Sequence, residues 1–460
     1  MAGDEDLSAE NRINLPAVRH QGSQLEVSRP GKSLVSRIAG DAYNHLPSRT
    51  ERLWRVGGEE VDEQGYRQIL IWIDQINSSG NLISLESWSN HVCDQYKIVE
   101  VFLDEYGMNS IDLSHVPYLQ ELSCEVNNLI EIDLLTVPRL ISLSCGDNQL
   151  TKIDLSRVPN LTSLSCYGNQ LTELDLLRVP NLTSLSCHAN PLAELDLSQV
   201  PRLTHLSCGG PQAAKLDLSQ APNLTNLKCH GNQLTEIDLS QGPNIKKLAC
   251  FAFDIELTEI DLSQLPNLTD LSLVGNVPEI DLFSVPNLTR LVYISSVPRS
   301  INLGQAPNLT DLHCQIGNLA AWDLSQLTKL IRLRCRDCTA DSLALPPVSS
   351  LTRFDCRRTN LIELDLSQTP NLTTLQCSRN KLQKLNLSCL PKLRSLDCSQ
   401  NQLTELNIKM LPALRYLNCS GNQLTELDIR DCNVQTLRCD PHIVIHKRSD
   451  QVVKRFHAQH

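Results

Sequence analysis

The chain has 460 residues, with 41 basic and 52 acidic side chains, a formal net charge of −11 and only 4% aromatics. The acidic balance argues against a nucleic-acid binder, and no stretch approaches the roughly 18 apolar residues of a membrane-spanning helix. The charge is divided along the chain. Residues 1–110 carry ten basic and seventeen acidic side chains, 111–327 eleven and twenty-three, and 328–460 twenty and twelve.

Residues 1–41 are polar with no apolar period, so a disordered tail is expected, with room for a secretion signal of non-classical type. Residues 42–108 change character. Ile69, Leu70, Trp72, Ile73 and Ile76 fall at helical spacing within Glu60–Asn77. Trp88, Val92, Tyr96, Val99, Phe102 and Leu103 form a similar stripe within Leu85–Tyr106. The spacing predicts a small α-helical cap over the array that follows, acting as a cap alone or as a module that recruits other machinery.

Residues 109–439 repeat. Pro159–Val179 reads PNLTSLSCYGNQLTELDLLRV and Pro180–Val200 reads PNLTSLSCHANPLAELDLSQV, a period of 21 residues that gives about fifteen rungs. Leu161, Leu164, Cys166, Asn169 and Leu171 carry the leucine-rich repeat spacing, with Cys in place of a leucine. Leu164 and Cys166 point one way while Ser163 and Ser165 point the other, and one rung alone cannot bury that apolar edge. The predicted fold is therefore a β-rich solenoid, a leucine-rich repeat horseshoe with a parallel inner sheet and extended outer segments. Asn127, Asn148, Asn169, Asn190, Asn232, Asn276, Asn380, Asn401 and Asn422 form a column that can satisfy backbone groups at the turn. Between 243 and 369 the repeat degrades. Residues 440–460 read as a C-terminal cap and tail, with His442–His446 as an edge strand and Ser449–His457 as a short basic helix.

Fourteen of the eighteen cysteines sit at one repeat position, from Cys124 to Cys439. Such a column is a packing choice and suits a reducing cytoplasm. Cys338 of the Cys335/Cys338 pair falls in the Asn column, so packing is preferred to zinc, and no cofactor is expected. The recurrent Asn-Leu-Thr is repeat grammar, because glycans on adjacent rungs would collide.

The outward strand positions form the expected binding face. Ser142, Ser144, Ser163, Ser165, Ser184, Ser186 and Ser207 read as a hydrated surface, since no activating base repeats beside them. Tyr167, His188, Gly209, His230 and Phe251 form the next column, either anchors for a protein partner or fillers at a tolerant position. Arg332, Arg334 and Arg336 neighbour Arg353, Arg357, Arg358 and then Arg379, diluted by Asp337 and Asp355. Solvent and the two acids tolerate this cluster, or it binds an acidic or phosphorylated protein surface. The outer Asp column, Asp133 to Asp238, reads as a solvated face.

The array resembles the leucine-rich repeat superfamily, and its short repeats, polar tail and expected helical cap resemble bacterial leucine-rich repeat effectors. That resemblance implies a non-enzymatic interaction protein, delivered into a host cell without a classical signal peptide, or a scaffold. An alternative is an adaptor whose helical unit recruits a ubiquitin-ligase core while the solenoid selects the target. One branch of such effectors carries a C-terminal ubiquitin-ligase domain; with about twenty residues after the last rung, that activity is expected to be absent. The expected partner is a protein, not nucleic acid, and oligomeric state is left open.

Overall fold

The computed structural model describes residues 54–56, 59–78, 91–94, 97–209, 216–230, 239–252, 260–276, 280–295, 301–315, 323–338, 340–343, 345, 348 and 350–456. All lie within one unit, Arg49–His460. The tail 1–41, Trp88, Tyr96 and Asn232 fall outside the described residues.

Strands β1 (Trp54–Val56) and β2 (Glu59–Val61) form an antiparallel pair that leads into helix α1, Glu63–Ser78. Asp62 caps the helix, its Oδ1 accepting from Gly65 N at 2.8 Å. The face carrying Ile69, Trp72, Ile73 and Ile76 is buried in the same core as the first rungs. Gln68 Nε2 and Trp72 Nε1 donate to Asp112 O at 2.6 and 2.7 Å, which ties the helix to the first outer turn.

The second predicted helix is not one. His91–Asp94 (β3) and Lys97–Phe102 (β4) form an antiparallel pair, and β4 continues into the parallel sheet with Val101 opposite Leu122. The first rung would otherwise end on an unpaired strand edge, and a run of Ile98, Val99, Val101 and Phe102 suits a strand better than a helix.

From β4 the sheet runs in one register. Leu122, Leu143, Leu164, Leu185, Leu206, Leu227 and Leu248 are successive partners. The degraded stretch keeps step through Leu271, Leu291, Leu312, Leu333 and Phe354. Leu375, Leu396, Leu417 and Leu437 follow, and Arg455 is the last partner. The lost and gained residues thus leave the strand register unchanged. The buried Cys column lies beneath this ladder, with Leu273 and Tyr293 filling the two places where Cys is absent. Burial raises the thiol pKa of members such as Cys166 and Cys377, which keeps them protonated.

Asn127, Asn148, Asn169, Asn190, Asn380, Asn401 and Asn422 each bridge two rungs, whereas Asn276 Oδ1 is buried with no hydrogen-bond partner. Asn169 Nδ2 donates to Cys145 O at 3.0 Å and to Cys166 O and Tyr167 O at 3.1 Å, while its Oδ1 accepts from Leu150 N at 2.9 Å. They stand beside cross-rung backbone bonds that continue past the strand Ser163–Ser165, such as Cys166 N to Ser186 O at 2.8 Å. Strands in the middle of the array are longer, as in Lys247–Ala252, Asp270–Gly275, Arg290–Ser295 and Arg332–Arg336, whether or not Asn stands at the turn. Cys338 and Thr359 occupy the Asn place in adjacent rungs, and Thr359 Oγ1 donates to Cys335 O and Cys356 O at 2.9 and 2.8 Å.

The outer halves are extended, apart from 3-10 turns at Leu218–Gln220 and Leu303–Gln305, and their Asp column is exposed, as read, with a structural role besides. Asp133, Asp154, Asp175, Asp196 and Asp217 each accept from the backbone N–H two residues on, at 2.9–3.0 Å. These are Asx turns that close each rung. The Thr of Asn-Leu-Thr donates across to the previous rung, for example Thr183 Oγ1 to Thr162 O at 3.0 Å. At the C-terminal end, Val444–His446 pairs with Glu426–Asp428 as an edge strand. The expected basic helix is instead the strand Lys454–Phe456, paired with Thr436–Arg438 and covering its open edge.

Candidate functional site

Three outward columns of the sheet carry the candidate residues. In the first, Lys247, Asp270, Arg290, Asp311, Arg332 and Arg353 are register partners on successive strands. Their charges alternate as far as Arg332, with Arg290–Asp270 at 3.3 Å and Arg332–Asp311 at 3.4 Å. The alternation then fails, because Arg332 and Arg353 lie side by side. Like charges on adjacent strands destabilise a sheet.

The next two columns bring the other arginines around buried Asp355. Arg336 Nε donates to Asp355 Oδ2 at 2.6 Å, and Arg357 clasps the same carboxylate through Nε and Nη2, both at 3.0 Å. Arg358 Nε pairs with Asp337 Oδ1 at 2.8 Å. Arg334 is half-buried beside Asp355, its register partner. Arg353 and Arg379 are exposed and have no ion pair among the described residues.

Sequence reasoning missed two members. Arg438 and Arg455 line the same cavity of about 1040 Å3 as Arg336, Arg357, Arg358 and Arg379. Arg438 repeats the outward position of Arg334 in a later rung, a signal available in the period. Arg455 was hidden because its strand lies past the last recognisable repeat. Its Nη2 donates to Asp440 O and Ile443 O at 3.1 and 3.3 Å, and Arg438 stacks 5.9 Å from the Phe456 ring.

The aromatic column is a stack. Tyr167 and His188 are 5.0 Å apart, His188 and His230 4.0 Å, and His230 and Phe251 4.7 Å, with planes within 17° throughout. Gly209, the intervening residue, has no side chain, so His188 and His230 meet across its rung. The rings are half-buried against one another rather than splayed. Tyr167 OH donates to Glu125 Oε2 at 3.3 Å.

One serine reading changes. His188 Nδ1 lies 3.2 Å from both Ser186 Oγ and Ser207 Oγ, so a base does stand beside two of them. Among the described residues no carboxylate orients its other nitrogen, and burial lowers its pKa to about 4, which makes it a weak base. Burial, with His188 and Lys228 nearby, lowers His230 to about 3. An unfolded histidine, ordinarily near 6.5, protonates first, so stability present above pH 6.5 is lost as pH falls toward these values. Replacing both His188 and His230 with Phe keeps the stack and should make that loss shallower. Urea unfolding free energies between pH 6.5 and 4 check it, and equal slopes would show that the rings accept protons in place.

No curated protein matches the chain in sequence. The family model described as Leucine Rich repeats (2 copies) matches residues 159–199 and 391–432. The chain has the leucine-rich repeat fold. Its repeats share their fold with YopM from Yersinia enterocolitica, at 22% identity and a TM-score of 0.50 over 93% of this chain and 95% of that one. A leucine-rich repeat protein of Leptospira interrogans gives 20% identity and 0.52 over 76% and 91%. The functional domain of InlJ from Listeria monocytogenes gives 27% and 0.48 over 79% and 75%. Leucine-rich repeat arrays of this kind present extended protein-interaction surfaces. Among the described residues no helix is long and apolar enough to cross a membrane, and no group of three or more side chains is placed to hold a metal.

Proposed function

We propose that this leucine-rich repeat protein is a non-enzymatic binding protein that holds an acidic or phosphorylated protein surface against its outward sheet face. The observation that carries this reading is the break in the charge ladder, where Arg332 and Arg353 sit in register without an acid between them. The stack from Tyr167 to Phe251 adds an apolar anchor on the same sheet face, ending four strands before Arg332. In the same reading the protein works in a reducing cytoplasm, as an effector inside a host cell or as a scaffold; the buried, protonated thiol column supports that compartment. The adaptor alternative draws no support from α1, whose apolar face is spent in the core.

The test uses Arg353 and Arg379, because Arg336 and Arg357 hold a buried carboxylate and their reversal would leave it opposed by a like charge. With both Arg353→Glu and Arg379→Glu introduced, affinity for the protein captured by the parent chain should fall by about tenfold or more, with an unchanged melt. Capture equal to the parent's removes the arginine face from the function.

A further inference from the structure

The cavity at the C-terminal end of the sheet has two basic ends and a polar middle that holds a single acid. Arg336, Arg357, Arg358 and Arg379 stand at one end and Arg438 and Arg455 at the other. Ser399, Gln400, Asn418 and Ser420 line the strip between them. The one acid of that strip, Asp397, is engaged by Ser399, whose N and Oγ donate to it at 3.1 and 2.6 Å. Six guanidinium groups therefore face three carboxylates, counting Asp355 and Asp337 at the rim. Folding alone gives no reason for that excess, since adjacent like charges repel.

We propose that this cavity takes one extended peptide segment of the partner protein, carrying two phosphorylated side chains about four residues apart. The inference rests on the reading of the arginine cluster as an anion site and adds the class and spacing of the anions. Arg379 follows the strand Thr374–Gln376 and Arg438 ends Thr436–Arg438, with Ser395–Asp397 and Tyr416–Asn418 between. Three strand spacings make about 14 Å, and an extended chain rises about 3.3 Å per residue, hence about four residues. A phosphate dianion presents three acceptor oxygens and suits several guanidinium groups at once better than one carboxylate does. Arg379 is exposed and carries no ion pair among the described residues, and the Phe456 ring holds Arg438 from one side. The short polar side chains of the middle strip leave room for the peptide backbone and offer it hydrogen-bond partners.

Short peptides with two phosphoserines among otherwise uncharged residues, separated by about two to about eight positions, test this by fluorescence anisotropy with the full chain. At about 0.15 M salt, the four-residue spacing should bind at least about tenfold tighter than a single phosphoserine or the widest spacing. Arg379→Gln and Arg438→Gln should each reduce it to single-phosphate affinity, with melts like the parent's and Arg202→Gln as an inert control. Affinity that ignores spacing, glutamates that bind as tightly as phosphoserines, or Gln variants that bind like the control would each overturn the proposal. A flat spacing series, with partner capture still lost in the Arg353→Glu, Arg379→Glu variant, sinks only this inference. Capture that survives the double reversal sinks the earlier reading.

Discussion

Replacing Gly209 with Ala is expected to cost about 3 kcal/mol or more and to disrupt the array at its fifth rung. Gly209 has φ +142°, and a Cβ built there would lie 1.5 Å from His230 O and 2.5 Å from its carbonyl carbon. The obstacle is backbone of the neighbouring rung, in register through Cys208 and Cys229, so no side-chain rotation relieves it. The same missing side chain is what lets His188 and His230 stack at 4.0 Å across a rung. One substitution thus strains the ladder and parts the rings. Gly304→Ala is the control, since its nearest contact is the flexible Asn302 Oδ1 at 3.2 Å and its φ is ordinary; its effect should stay below about 1 kcal/mol. Urea unfolding of the two variants checks the difference. A Gly209→Ala variant as stable as the parent would show that the fifth rung can shift away from His230.

The periodic part of this protein was legible because each letter of the 21-mer has one physical job, repeated until chance is excluded. Leu164, Cys166 and Asn169 are buried as their spacing demands. What misled was context the period does not carry. The stripe through Val99 and Phe102 fits a helix by spacing, but the sheet edge beside it recruits those residues as a strand, and Lys454–Phe456 does the same at the other end. The Asp column is solvent-exposed as read, but its second role was not legible, because an Asx turn depends on the backbone two residues on and not on any neighbour in the repeat. Within the candidate site, the columns placed the arginines on one face, as register partners show, yet could not show which of them Asp355 and Asp337 hold. That division decides which arginines remain for a partner.

Asn169→Ala should destabilise the protein by about 3 kcal/mol, although Asn169 touches no candidate binding residue except through the backbone of Tyr167. The substitution strips a partner from three carbonyls and from Leu150 N, all in a site where Asn169 is 7% exposed. Cys145 O and Leu150 N belong to the preceding rung, so two rungs lose satisfaction together, and in a solenoid the neighbour interface carries much of the stability. Asn169→Thr should lose about half as much, because a hydroxyl can donate to carbonyls as Thr359 does in its rung but leaves the Leu150 amide unmatched. Asn169→Asp should be worse than Ala at pH 7, since a carboxylate donates nothing and faces three carbonyl oxygens. Hydrogen exchange at Leu150 separates this account from simple loss of packing. If the column works as a hydrogen-bond bridge, that amide opens first in both the Ala and Thr variants, while protection at Leu122, two rungs away by register, follows only the global stability.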